Sequence, residues 1–221
     1  MALLSYSFTF TFEYESKKYI YHVDWAGLEK YDLKEFLGQG TEGFIFAASN
    51  DYVVKFVPLD IITHELELEI DGPALLRVPL GTTENRFTRN IESMNRLREH
   101  QIFVPIEDYF INDGIFERSE SLTKMKMGII VMKRWDMNLK EFLAKFPSKR
   151  SLVLEKVNLL IHNLATRNYF NGETGPENIM IKINGCRISD VRFIDAHLSR
   201  SSEAEDFMRR MIEAELEDDP E

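Results

Sequence analysis

The sequence predicts an α+β fold, with strands concentrated in the first half of the chain and helices in the second. Between residues 7 and 57, apolar and polar residues alternate in short stretches separated by turn residues, a pattern typical of antiparallel strands. Residues 84–100 and 151–170 instead carry apolar residues at helical spacing. The chain has 221 residues, which is enough for one core or for two small lobes.

The first elements form a predicted β-hairpin. Apolar residues fall on one side of a period-two pattern from Phe8 to Tyr14, and the pattern resumes from Tyr19 to Val23 after a polar interval. Residues 33–57 then predict three further strands in an antiparallel meander. Because the following segment, up to Thr83, combines a strand-like alternation with two prolines, no element is predicted there.

The remaining elements are mainly helical. Four apolar residues from Phe87 to Leu97 lie on one face of a predicted helix over 84–100. The apolar residues of the predicted helix over 151–170 indicate burial on most of its sides. An Asn-Gly pair at 184–185 predicts the turn of a late hairpin. The other predicted elements are strands near 103–111 and 127–133 and helices over 138–146 and 202–217.

Composition and charge argue against several classes of function. The net charge is −10, and nine acids with two arginines place −7 of it in residues 203–221; without a basic stripe, nucleic-acid binding is not expected. No apolar run approaches the roughly 20 residues that cross a membrane. The five histidines lack zinc-site spacing. Cys186 is the only cysteine, so we expect a small core residue, no intramolecular disulfide and an intracellular location.

Three glycines and a lysine form the first candidate functional pattern. Gly38, Gly40 and Gly43 stand between two predicted strands, and Lys55 follows in the apolar stretch VVKFV. On their own the glycines are more typical of a hairpin turn, and the lysine could lie on an edge strand and reach water. Their order is typical of a site in which backbone N–H groups cover phosphates while a lysine binds the α and β oxygens.

Three downstream segments carry a resemblance to the protein kinase superfamily. GIIVMKRWDMNLKEFL (128–143) resembles the fifth strand, hinge and following helix of a kinase. GPENIMI (175–181) resembles the second half of the catalytic loop, and FIDAH (193–197) resembles the strand that ends in D-F-G. Together with the glycine segment and Lys55, these motifs extend the resemblance over roughly residues 31–200.

The resemblance implies a bilobal, protein kinase-like fold. Residues 1–30 would be an N-terminal hairpin extension, and residues 31–132 a β-rich N-lobe. Residues 133–221 would be a truncated helical C-lobe with an acidic C-terminal helix. The lobe is expected to be truncated because only 26 residues follow Asp195, too few for a long activation loop and the usual substrate-lobe helices.

The resemblance also implies ATP as a cofactor and assigns residues to it. The three glycines and Lys55 would bind the phosphates. Met132 would occupy the gatekeeper position, and Lys133, Arg134 and Trp135 would form the connector beside adenine. These residues are expected to converge on one cleft with the catalytic residues of the second lobe.

The implied catalytic residues depart from the family pattern. Asn178 and Asp195 would bind Mg²⁺, which suits two hard oxygen ligands. Glu173 stands at the position of the catalytic aspartate, and it is either a base with one extra methylene or a loop carboxylate in an inactive site. The sequence Asp-Ala-His replaces D-F-G. Asn90 aligns with the glutamate expected to pair with Lys55, which leaves Glu92 or Glu69 as the candidate partner.

Two main functions therefore remain open. The first is a minimal Ser/Thr protein kinase that is active without activation-loop phosphorylation, similar in outline to compact kinases of bacterial pathogens and large DNA viruses. The second is a pseudokinase that binds a regulatory partner without catalysis; a small-molecule kinase is a third hypothesis. The expected partner is a protein substrate or a regulatory protein, a host protein included, and the expected location is intracellular, including the host cytoplasm. Neither nucleic acid nor membrane is an expected partner.

Overall fold

The computed structural model describes residues 7–14, 17–39, 42–60, 82–118, 121–201 and 203–217. The fold is mixed α+β with a curled antiparallel sheet, as the sequence predicts at the level of fold class. The chain divides into two compact units. The first contains Met1–Thr88 and Ile106–Arg134, and the second contains Arg89–Pro105 and Trp135–Glu221. Within the described ranges, no helix is long and apolar enough to cross a membrane.

A seven-stranded sheet forms the first unit, with the strand order β1-β2-β6-β7-β5-β4-β3. Its strands are β1 (Ser7–Tyr14), β2 (Lys17–Asp24), β3 (Leu33–Gln39), β4 (Phe44–Ala48), β5 (Tyr52–Leu59), β6 (Ile106–Arg118) and β7 (Ser121–Lys133). The predicted N-terminal hairpin is confirmed by the antiparallel pairing of β1 with β2. The predicted meander is confirmed by the pairing of β3 with β4 and of β4 with β5. The N-terminal hairpin joins the same sheet because β2 also pairs with β6.

The β6–β7 hairpin is longer than the sequence predicts. The predicted strands near 103–111 and 127–133 omit residues 112–118, which belong to β6, and residues 121–126, which belong to β7. Asn112-Asp113-Gly114 is typical of a turn, but Gly114 lies inside β6. A Cβ at Gly114 would come 3.0 Å from the carbonyl oxygen of His22 on β2. The absence of a side chain at this glycine therefore allows two strands to approach closely, and the glycine does not form a turn.

Each face of the sheet carries buried side chains. One face carries an aromatic and aliphatic core, in which the rings of Phe46 and Phe56 meet edge to face at 5.6 Å. The other face is contacted by the first turns of helix α1 (Glu84–Arg96). Phe87 fits there over Gly128, where a Cβ would come 2.6 Å from its ring. The apolar stripe that predicts this helix is thus confirmed as its buried face.

The second unit contains the remaining helices and two small sheets. The strand orders are β11-β10-β8 and β12-β9. The helices of this unit are α2 (Leu139–Lys145), α3 (Arg150–Ala165) and α4 (Ala204–Glu217), in addition to most of α1. The strands are β8 (Met137–Asn138), β9 (Tyr169–Asn171), β10 (Ile179–Asn184), β11 (Arg187–Phe193) and β12 (Leu198–Arg200). The predicted helices at 138–146 and 202–217 are confirmed.

Helix α3 differs from its prediction in length and burial. The predicted helix extends to residue 170, whereas α3 ends at Ala165, because Asn168 adopts a left-handed φ of 58° and the chain then enters β9. Burial on most sides is also wrong, since Leu152 and Leu159 are 48% and 60% exposed. The α3 side chains that are buried include Val153, Val157, Leu160, Ile161 and Leu164.

The β10–β11 hairpin is predicted correctly, with a shift of one residue in its turn. Asn184 pairs with Arg187, so the turn residues are Gly185 and Cys186, and Gly185 has a φ of 59°. Cys186 is exposed at this turn, and the prediction of a core cysteine is wrong.

Candidate functional site

The glycine segment joins β3 to β4. Gly38 lies in β3 and Gly43 directly precedes β4, whereas Gly40 lies outside the described residues. A Cβ at Gly43 would come 2.0 Å from the carbonyl oxygen of Phe56, so the approach of β5 requires glycine there. A Cβ at Gly38 would meet nothing within 4 Å. Sheet packing therefore explains Gly43, while no steric contact explains Gly38.

Lys55 is buried on an interior strand. Its strand, β5, pairs with β4 on one side and with β7 on the other, so the edge-strand interpretation of this lysine is wrong. Its side chain is only 7% exposed. The neighbouring residues Val54 and Phe56 point into the aromatic core, and Lys55 therefore lies on the opposite face. Burial of a lysine is costly unless its ammonium reaches polar groups.

Two of the three residues considered as partners of Lys55 belong to helix α1. Glu92 is an exposed residue of α1, and Asn90 is half-buried on the same helix. Glu69 lies outside the described residues. Lys55 itself takes part in a polar or electrostatic interaction.

The predicted connector coincides with the division between the units. Met132, at the end of β7, is 1% exposed and pairs with Val53 on the lysine strand. The Lys133 ammonium donates to the Asn50 carbonyl at 3.3 Å. Arg134 is the last residue of the first unit, and Trp135 is the first residue of the second segment of the second unit.

Each end of the connector is fixed within its own unit. In the first unit, the Arg134 N–H donates to the Asp51 carbonyl at 2.7 Å. In the second unit, the Arg192 guanidinium lies 5.6 Å from the centroid of the Trp135 ring. Such a separation is within the range of a cation–π interaction. The predicted connector residues therefore belong to two separately anchored segments.

In the second unit, strand pairing brings the predicted catalytic segments together. β9, which precedes Glu173, pairs antiparallel with β12, which follows Asp195. The Gly172 N–H donates to the His197 carbonyl at 3.0 Å, next to this pairing. The loop that contains Glu173 and the turn that contains Asp195 are consequently neighbours.

Asn171 connects these two segments through its side chain. It is fully buried, and its amide nitrogen donates to the carbonyl oxygens of Asp195 at 3.0 Å and Glu173 at 3.4 Å. Its amide oxygen accepts from the N–H groups of His197 at 2.8 Å and Glu173 at 3.3 Å. One side chain thus satisfies four backbone groups on both segments. The sequence aligns Asn171 with the first residue of the catalytic motif but gives no sign of this role.

Asn178 and Asp195 are also held close through the backbone. The Ile194 N–H donates to the Asn178 carbonyl at 2.9 Å, and Ile179 pairs with Phe193 in the adjoining hairpin. Both side chains are half-buried and carry hard oxygen donors. Mg²⁺ usually takes one or two protein oxygens and completes its shell with phosphate and water, so this donor pair fits the ion. In the described part of the chain, no group of three or more His, Cys, Asp or Glu residues could hold a metal by itself.

Helix α4 contributes an acid to the surroundings of this loop. Thr174, fully buried, donates to the Met211 sulfur at 3.7 Å. The Glu215 carboxylate lies near Gly175, whose Cβ would come 2.8 Å from it. Partial burial raises the pKa of Glu215, and repulsion by the Glu177 and Glu173 carboxylates raises it further, against a smaller opposing effect of Lys140. The sequence predicts only a solvated acidic helix here.

Comparison with known proteins adds no assignment, because no family model and no curated protein matches the chain. The site of the second unit is therefore defined by its own geometry. It combines a half-buried carboxylate at Glu173 with two oxygen donors at Asn178 and Asp195, all attached to backbone segments that hydrogen bonds hold together.

Proposed function

We propose that the chain is an ATP-dependent phosphotransferase with a protein kinase-like bilobal fold, and that it transfers the γ-phosphoryl group to a Ser or Thr hydroxyl of a protein. The observation that carries this proposal is the Asn171 side chain, which joins the backbones at Glu173 and Asp195. Phosphoryl transfer depends mainly on positioning and electrostatic stabilisation, so a fixed spacing of these segments is what the reaction requires.

The first unit supports the nucleotide-binding part of the proposal. Lys55 lies on the strand between the glycine hairpin and the strand that carries Met132. In the proposed complex, its ammonium binds the α and β phosphate oxygens, and backbone N–H groups between Gly38 and Gly43 cover the phosphates. The unexplained Gly38 fits this role because a side chain is not needed for packing there.

The second unit supports the transfer step. Asn178 and Asp195 would hold Mg²⁺, which neutralises phosphate charge when bound. Glu173 would accept the proton of the acceptor hydroxyl as its oxygen bonds to the γ-phosphorus and the bond to the β-phosphate oxygen breaks.

A partner-binding pseudokinase is the second candidate. Glutamate replaces the expected aspartate at residue 173, and only the short strand β12 separates the Asp195 turn from α4. Few residues in this segment could therefore position a protein acceptor. Nucleotide binding without transfer would agree with these features as well.

Turnover measurements distinguish the two candidates. Magnesium-dependent transfer of labelled γ-phosphate should be measured with a panel of protein acceptors for the wild type, Asp195→Ala and Glu173→Gln. We expect Asp195→Ala to abolish transfer, and Glu173→Gln to reduce kcat by about 10²- to 10⁴-fold without changing the KM for ATP.

The matched control is Glu155→Gln, an identical change at an exposed position of α3. It should leave turnover unchanged. A wild type that binds Mg·ATP but transfers to no acceptor would favour the pseudokinase. Full activity of Glu173→Gln would remove that residue from the mechanism.

A further inference from the structure

Strand β3 is an edge of the seven-stranded sheet and carries two register irregularities, one between Leu33 and Phe36 and one between Phe36 and Gly38. In the described part of the chain it pairs only with β4. The register passes from Leu33 opposite Ala48 to Phe36 opposite Phe46, so Lys34 and Glu35 together face a single residue. This is a β-bulge, and bulges are common on sheet edges and beside functional sites.

A cavity opens at the bulge. Its volume is about 550 Å³, and its lining includes the cations Lys34 and Arg134 and the acids Glu35 and Asp51. The adjoining turn is well anchored, because the Ser49 N–H donates to the Asp32 carbonyl at 2.9 Å. The cavity therefore presents charges of both signs on a fixed frame.

The residues that follow the bulge are apolar and exposed. Phe36 is 54% exposed and Leu37 is 41% exposed, although both lie on an edge strand. Natural edge strands are usually protected from pairing by charges, bulges or prolines. Here the protecting features are the bulge itself and the charges of Lys34 and Glu35, which are adjacent and opposite in sign. They disfavour pairing with most other strands, but not with a strand that places opposite charges against them.

We propose that the β3 edge is a self-association surface whose partner is a second copy of this chain. In an antiparallel pair with two-fold symmetry, Lys34 of each copy would lie opposite Glu35 of the other. Leu33 and Phe36 would then be opposite as well, which pairs apolar residues. The same patch serves both copies, as a closed two-fold dimer requires.

Charge selects this register over its neighbours. A shift by one residue in one direction places Glu35 opposite Glu35, and a shift in the other places Lys34 opposite Lys34. Like charges directly opposite in adjacent strands are destabilising, whereas opposite charges stabilise the pair. The cavity at the bulge has room for the Lys34 and Glu35 side chains of the second copy, next to lining residues of both charge signs. This proposal does not depend on the proposed phosphotransferase function.

Charge-swap variants of the full chain test the proposal. Sedimentation equilibrium should show a monomer–dimer equilibrium for the wild type. Lys34→Glu and Glu35→Lys should each raise the dimer Kd by about tenfold or more, because each replaces two attractive pairs with two repulsive ones. The double variant Lys34→Glu/Glu35→Lys restores opposite charges and should dimerise like the wild type. Glu155→Lys, on α3, is the matched control and should have no effect.

A mixing experiment identifies the register directly. At a protein concentration near the wild-type Kd, each single variant alone should be mainly monomeric. An equimolar mixture of Lys34→Glu and Glu35→Lys should instead form a heterodimer, since every facing pair is then opposite in charge. Circular dichroism spectra establish that each variant is folded. A wild type that stays monomeric up to its solubility limit, or a dimer that none of these variants alters, would overturn the proposal. So would failure of both the double variant and the mixture to restore dimerisation.

Discussion

Asn171→Ala should lower the free energy of unfolding by more than the small size of the side chain suggests. The two shorter hydrogen bonds, at 3.0 Å to the Asp195 carbonyl and 2.8 Å from the His197 N–H, are both lost. Each contributes about 1 kcal/mol, and the backbone groups left without a partner cost about 1–3 kcal/mol more, so we expect a total loss of about 3–5 kcal/mol. The two longer bonds to Glu173 add little to this value.

Urea unfolding monitored by circular dichroism measures this loss as a change in the free energy of unfolding. The matched control is Asn158→Ala, which makes the same substitution at a half-buried site on α3 and should change stability by less than about 0.5 kcal/mol. Amide hydrogen exchange provides a local readout, because the His197 N–H should exchange faster in Asn171→Ala. Equal stability of the two variants, with an unchanged exchange rate at His197, would refute the role assigned to Asn171.

Three further predictions concern pH dependence and packing. Because the pKa of Glu215 is raised in the folded chain, the free energy of unfolding falls as pH rises through that pKa. Glu215→Gln should therefore raise the melting temperature near about pH 7 but not near about pH 3. An equal rise at both pH values would contradict this prediction. Gly43→Ala should cost about 3 kcal/mol or more because a Cβ meets the β5 backbone, whereas Gly38→Ala should be within about 1 kcal/mol of the wild type, both measured by urea unfolding. Leu160→Ala should cost about 2–5 kcal/mol, since Leu160 is 5% exposed, and Leu159→Ala less than about 0.5 kcal/mol. Similar losses in the last two variants would contradict the orientation of α3.

Local patterns account for the parts of the fold that the sequence predicts well. Period-two alternation identifies the strands of the N-terminal hairpin, where Tyr21 and Val23 of β2 face the core. Strand β5 is instead buried along nearly its whole length, and its continuous apolar sequence identifies it. The helical stripe that begins at Phe87 identifies α1 for the same reason. The prediction is wrong where a local signal competes with packing. The strand predicted to end near residue 111 continues as β6 through Gly114, and the helix predicted to extend to residue 170 ends at Ala165, before the left-handed Asn168.

The sequence predicts only part of the candidate site. The motif at residues 175–181 and the turn at Asp195 are joined by the hydrogen bond from the Ile194 N–H to the Asn178 carbonyl. The role of Asn171 depends on hydrogen bonds to residues up to 26 positions away, which leave no periodic signal. Glu215 approaches the loop only because α4 packs beside it. Tertiary contacts of this kind are not encoded in local composition.

The proposed phosphotransferase function requires that Lys55 and Asp195 contribute to binding of the same Mg·ATP. Isothermal titration calorimetry should measure the Kd for Mg·ATP of the wild type, Lys55→Met, Asp195→Ala and the double variant, with Lys145→Met as an exposed control. We expect each single change to raise the Kd at least about tenfold, and their effects to be non-additive in the double variant, because both side chains act on one ligand. Absence of Mg·ATP binding by the folded wild type, or wild-type affinity in either single variant, would contradict the claim.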